Sequence, residues 1–133
     1  MKKRAIVPDE LQSQQSNWKM SPGLACGDFL FLTGMTGVDT DGNLSADPET
    51  QIRTAFRKVG LVLAKDGLSY AALVDMTSYH VGLRDHLELF KSIRAEFVEE
   101  PYPSWTAIEV SGFVREGAII EIKAVASRMP KAN

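Results

Sequence analysis

The sequence predicts an α+β fold with one sheet and both of its helices packed on a single face, and three observations predict it. Two stretches carry apolar residues at spacings of three and four, Ile52, Ala55, Phe56, Val59 and Leu63 in one and Leu87, Phe90, Ile93 and Phe97 in the other. That is the period of a helix with one buried side. Residues 118–126 (AIIEIKAVA) instead alternate with period two, as a strand does when its faces meet different surroundings. Strands come first, then helix, strand, helix and two strands, an order that builds one sheet with helices on one side of it.

Each element has a local cause. Residues 28–33 (DFLFLT) run between Gly27 and Gly34 and are dense in Phe and Leu, which predicts a short strand buried on both faces. A strand over residues 17–25, interrupted by Pro22 and Gly23, is expected before it. Residues 37–47 (GVDTDGNLSAD) are rich in Gly and Asp, with a turn at Asp41-Gly42. Asp47 before Pro48 suits an N-cap followed by proline at the first helical position, and Gly67 supplies the stop. The β-branched and aromatic content of residues 73–81 favours a strand. Asp85 with Glu88 three residues on opens the second helix as a capping box, and Pro101 ends it. Pro101 and Pro103 then lead into a strand on which Trp105, Ala107 and Glu109 share a face. In the last strand Ile120, Ile122, Ala124 and Ala126 should lie under the helices, with Ile119, Glu121, Lys123 and Val125 opposite.

With 133 residues and 44% hydrophobic composition the chain fits one domain, 1–133, with a real core. A formal charge of −2 gives no general attraction for nucleic acid or anionic lipid, and the basic run Lys2, Lys3, Arg4 reads as a solvated end. The single Cys26 excludes an internal disulfide and a multi-cysteine zinc site. No apolar run approaches a membrane span or a secretory signal, so a cytoplasmic location is expected. His80 and His86 have no further ligand at metal spacing, and Asp39 and Asp41 lack the later glutamate of a calcium loop, so no metal is expected. The sheet face turned from the helices, expected to carry Trp105 and Ile119, would expose an apolar patch that self-association buries.

Several strings occur in a particular order: SPGLACGDFLFLTGMTG (21–37), the Asp41-Gly42 loop, Gln51 opening the long helix, DGLSYAALVDMTSYHV (66–81), PSWTAIEV and AIIEIKAVA. In that order and spacing the chain resembles the RidA/YjgF family of reactive-intermediate deaminases, also called the L-PSP endoribonuclease family. The resemblance implies a chorismate-mutase-like α+β domain, a homotrimer, small-molecule pockets in the clefts between subunits and no cofactor. It also implies that Glu121 is the catalytic carboxylate that orients water, with Thr33, Gly34 and the backbone of Ala107 in the substrate site. Met20 stands where the family often has tyrosine, Met35 where it has glutamine, Lys91 near a common asparagine and Ala107 where cysteine is frequent. Members that hydrolyse 2-imino acids carry an arginine at the position of Trp105. That arginine grips the substrate carboxylate through two parallel bonds, which an indole with one N–H cannot do.

Three functions follow as alternatives. The first is a hydrolase or deaminase acting on a small imine- or enamine-type metabolite, with Glu121 directing water and Trp105 lining the cleft. The second is a non-catalytic trimer that binds a small ligand or partner there. The third, an endoribonuclease or translation inhibitor, rests on the family's naming and is opposed by the charge balance.

Overall fold

The computed structural model describes residues 2–129. Six strands form one sheet: β1 (Lys3–Ile6), β2 (Gly23–Cys26), β3 (Phe29–Thr36), β4 (Leu73–His80), β5 (Ser104–Glu109) and β6 (Ile120–Ser127), in the spatial order β1-β2-β3-β6-β4-β5. Neighbours are antiparallel except β4 and β5, which run parallel. A parallel pair needs a crossover, and α3 (Leu83–Arg94) supplies it, while α2 (Pro48–Lys65) joins β3 to β4.

The long helix α2 starts as its sequence dictates, with the Asp47 carboxylate accepting from Thr50 N at 3.1 Å and proline in the first turn. Its apolar stripe, Ile52, Ala55, Phe56, Val59 and Leu63, is buried together with Val62. The stripe meets Ile120, Ile122, Ala124 and Ala126 of β6, all buried as the alternation predicts. Aromatic rings knit the layers: Phe56 stacks on Phe97 with centroids 4.7 Å apart, and Phe90 lies 5.7 Å from Phe56.

The N-terminal third departs from the sequence reading. Residues 17 and 18 end a third helix, α1 (Gln12–Trp18), rather than opening a strand, and Lys19 closes it in the left-handed conformation at φ 56°. The run QSQQSNW has no apolar face, so its helix carries no periodic signal. Lys3 and Arg4 belong to the edge strand β1, paired with Cys26 and Ala25, and are not a free end. Charged side chains on an edge strand discourage further pairing.

Strand β3 is buried on one face only. Leu30 and Leu32 are sealed under α2, whereas Phe29 and Phe31 are 45% and 42% exposed on the other side, and Ile108 of β5 is 41% exposed. Helix α3 begins at Leu83 and ends at Arg94, not at Pro101, and Asp85 does not cap it. Its N-cap is Gly82, at φ 76°, and the capping carboxylate comes from β5: Glu109 accepts from Gly82 N at 3.0 Å and from Leu83 N at 2.7 Å. A capping group twenty-six residues away leaves no local motif to read.

Trp105 is the largest correction. Register pairs Trp105 with Met76 and Ala107 with Ser78, both buried in the helix-side core, so the strand turns Trp105 toward α3 and away from the open face. Its ring lies 5.7 Å from Phe90, and the Arg94 guanidinium sits 4.3 Å from its centroid. The indole N–H donates to Ser78 Oγ at 2.8 Å, and Ser78 Oγ also lies 2.7 Å from His80 Nε2. Indole can only donate, so Ser78 Oγ accepts from Trp105, and its bond with a neutral His80 ring runs in whichever direction the ring tautomer sets. Burial lowers the His80 pKa, in keeping with that neutral ring.

Candidate functional site

Glu121 lies between Ile120 and Ile122 on β6, so the pleat that buries its neighbours under the helices sends Glu121 to the opposite side, between Thr36 of β3 and Tyr79 of β4. Beside it β3 is irregular. Leu32 pairs with Ala124 and Met35 with Ile122, so Thr33 and Gly34 together occupy the space of one ladder residue. A Cβ on Gly34 would stand 2.7 Å from Glu121 Cδ and 2.8 Å from Oε2. Glycine at the bulge therefore makes the room that the carboxylate fills.

The carboxylate faces a cavity of about 410 Å3 lined in part by Trp18, Met20, Gly34, Lys58, Arg115 and Glu121. Glu121 makes no hydrogen bond or ion pair among the described residues; burial raises its pKa, opposed by the charges of Lys58 and Lys123. Lys123, on the same face of β6, makes no salt bridge to it and donates to the carbonyl of Leu32. Lys58 comes from α2, is only 6% exposed and has no bonded partner either. Burial pushes the Lys58 pKa down to about 8 against the pull of Asp39 and Glu121. Gln14 adds an amide whose Oε1 is buried without a partner.

The cavity wall is tied down by Gln51. Its Nε2 donates to Ser45 O at 2.8 Å and Gly117 O at 3.0 Å, and its Oε1 accepts from Ile119 N at 2.9 Å. One buried amide thus joins α2 to the two loops that carry Val38, Asp39, Val114 and Arg115 into the cavity.

Of the residues singled out in the sequence, Gly34, Met20 and Glu121 meet at this cavity. Thr33 is adjacent and holds the approach to β2, its Oγ1 donating to Ser21 O at 2.7 Å. Met35 is fully buried in the core, so it shapes no pocket wall by direct contact. Lys91 lies on the outer surface of α3 beside Glu88, at 3.6 Å, and Trp105 and Ala107 face α3. Lys58, Gln14 and Trp18 carry no site reading from the sequence alone. A signal existed for Lys58, which lies seven residues after Gln51 on the flank of the apolar stripe, where a solvated lysine would not be expected.

No group of three His, Cys, Asp or Glu side chains suited to a metal occurs among the described residues, and none of their helices is long and apolar enough to cross a membrane.

One mixed sheet with helices on one face, and a carboxylate lodged against a glycine bulge at a cavity, define an α+β domain of the YjgF type. The family model described as Endoribonuclease L-PSP matches residues 12–128, and the chain belongs to that family, the RidA/YjgF family. It is 31% identical to the RutC family protein YjgH of Escherichia coli K12 over 132 residues, 98% of each chain. A solved structure of protein YJGH superposes with a TM-score of 0.88 at 29% identity, covering 98% of this chain and 100% of that one. The Rid-family protein YyfA from Yersinia pestis shares the fold at TM-score 0.83 and 22% identity, covering 95% and 99%. E. coli TdcF with bound serine superposes at TM-score 0.73 and 25% identity, covering 83% and 88%.

Proposed function

We propose that the protein is a hydrolase of small imine- or enamine-type metabolites, acting in the cavity that holds Glu121. The observation that carries this reading is the unpartnered, desolvated carboxylate seated against Gly34 at the cavity wall. In the reaction Glu121 takes a proton from water as the oxygen attacks the imine carbon. Glu121 hands that proton to the nitrogen, and as the carbinolamine collapses its hydroxyl proton passes to the departing nitrogen, leaving a carbonyl, free ammonia and the carboxylate regenerated. A carboxylate with a raised pKa suits that exchange near neutrality.

The same reading makes the working unit a homotrimer with its pockets between subunits, supported by the exposed Phe29, Phe31 and Ile108 on the open face. Light scattering at micromolar concentration should give three times the 14.6 kDa chain mass; a 14.6 kDa particle would contradict it.

A non-catalytic ligand-binding trimer is the second reading, favoured by one observation: the position that carries the clamp arginine in imino-acid deaminases holds an indole tied to Ser78. Ammonia release separates the two. With 2-iminopropanoate generated in situ, release should exceed the protein-free rate yet fall well below that of an arginine-bearing family member. No protein-dependent release from this or any other short imine would leave only the binder, and release equal to the arginine-bearing protein would show that the substitution is immaterial.

A further inference from the structure

Lys58 is out of place by the ordinary rules of α2. It lies between apolar residues of a buried helix flank, 6% exposed, where leucine or methionine would pack without cost, and it makes no hydrogen bond or ion pair among the described residues. A buried ammonium without a partner is destabilising. The chain keeps one nonetheless, at the wall of the cavity that contains Glu121.

We propose that Lys58 is the anion-binding group of this cavity, receiving the carboxylate or a similarly compact anionic group of a small molecule whose reacting end lies at Glu121. The inference rests on reading the cavity as the ligand site. The charged groups facing Lys58 there are Asp39 and Arg115 from the loops, Glu10 from the segment before α1, and Glu121 from β6. None pairs with it, so its counter-charge arrives with the ligand. Arg115 is less suited, being exposed and already donating to Gly42 O at 3.1 Å. The unpartnered Gln14 Oε1 offers an acceptor for a ligand N–H, so the site as a whole fits a molecule carrying both an anion and a nitrogen donor. A lysine is a point charge without the planar fork of arginine, so it attracts a carboxylate without fixing its plane.

The probes are propanoate and propanamide, which differ in charge and little in shape. Propanoate should bind wild-type protein saturably in a calorimetric or NMR titration at neutral pH, and propanamide should bind far more weakly. Lys58→Met should weaken propanoate binding by roughly ten- to a hundredfold, the value of one charge-assisted hydrogen bond, while Lys58→Arg retains most of it. In the wild type, with no substitution to disturb folding, affinity should fall as the pH rises past the Lys58 pKa of about 8. Glu121→Gln should still bind propanoate, and wild-type protein that binds it but releases no ammonia from any short imine would overturn the enzymatic reading and leave this one standing. Equal propanoate affinity in wild type and Lys58→Met, propanamide binding as tight as propanoate, or no saturable binding to the wild type would each overturn it.

Discussion

Glu121→Gln should lower ammonia release by roughly 10²- to 10⁴-fold, the usual contribution of a general base, with little change in fold. Glutamine keeps the size and shape of the side chain beside Gly34 but cannot accept the proton that water must lose. Burial is the main cause of the raised Glu121 pKa, and Lys58 and Lys123 oppose it. Because the ionised form is the active one, wild-type turnover should fall as the pH drops through that raised pKa. Removing the Lys58 charge should move the fall to higher pH still, since that charge favours the carboxylate. A glutamine variant retaining a third or more of wild-type turnover would remove Glu121 from the chemistry.

Phe90→Ala should cost about 3–5 kcal/mol, the range for deleting a fully buried aromatic side chain. Phe90 is 0% exposed, and its ring is the point where the helix layer meets the sheet, 5.7 Å from Phe56, 4.8 Å from His80 and 5.7 Å from Trp105. The cavity left behind would border the bonds from Trp105 and His80 to Ser78, groups too polar to collapse into it without losing partners. Urea unfolding should show the loss together with a change in tryptophan emission. A cost below about 1 kcal/mol would mean that the site repacks freely, well under the large-to-small range.

Helix α2 and strand β6 were legible because long periodic runs report which face is buried, and the face of Ile120, Ile122, Ala124 and Ala126 came out as the alternation says. Elements set by distant partners were not. Helix α1 has no apolar stripe, and α3 is capped by a carboxylate from β5. The alternation in SWTAIE correctly puts Trp105 and Ala107 on one side, but two faces with similar apolar content do not reveal which is covered. Parallel pairing with β4 decides it, because Met76 and Ser78 are already committed to the core. At the site, Glu121 was visible as a carboxylate within an alternating strand, whereas Gly34 reads as the stop after residues 28–33 and enters the site only through the family resemblance, because β3 in fact runs on through it to Thr36. Lys58 and Gln14 enter through helices that approach from elsewhere in the chain, so their convergence is a property of the fold.

The two tryptophans allow a direct decision about where ligand binds. Trp18 lines the cavity of Lys58 and Glu121, whereas the Trp105 indole N–H is bound to Ser78 beneath α3. In a titration with propanoate followed by the two indole N–H resonances, that of Trp18 should move in step with binding. The Trp105 resonance should stay fixed and exchange slowly with solvent. Movement of the Trp105 resonance while that of Trp18 stays still would place the ligand away from this cavity and contradict the assignment of Glu121 and Lys58 to one site.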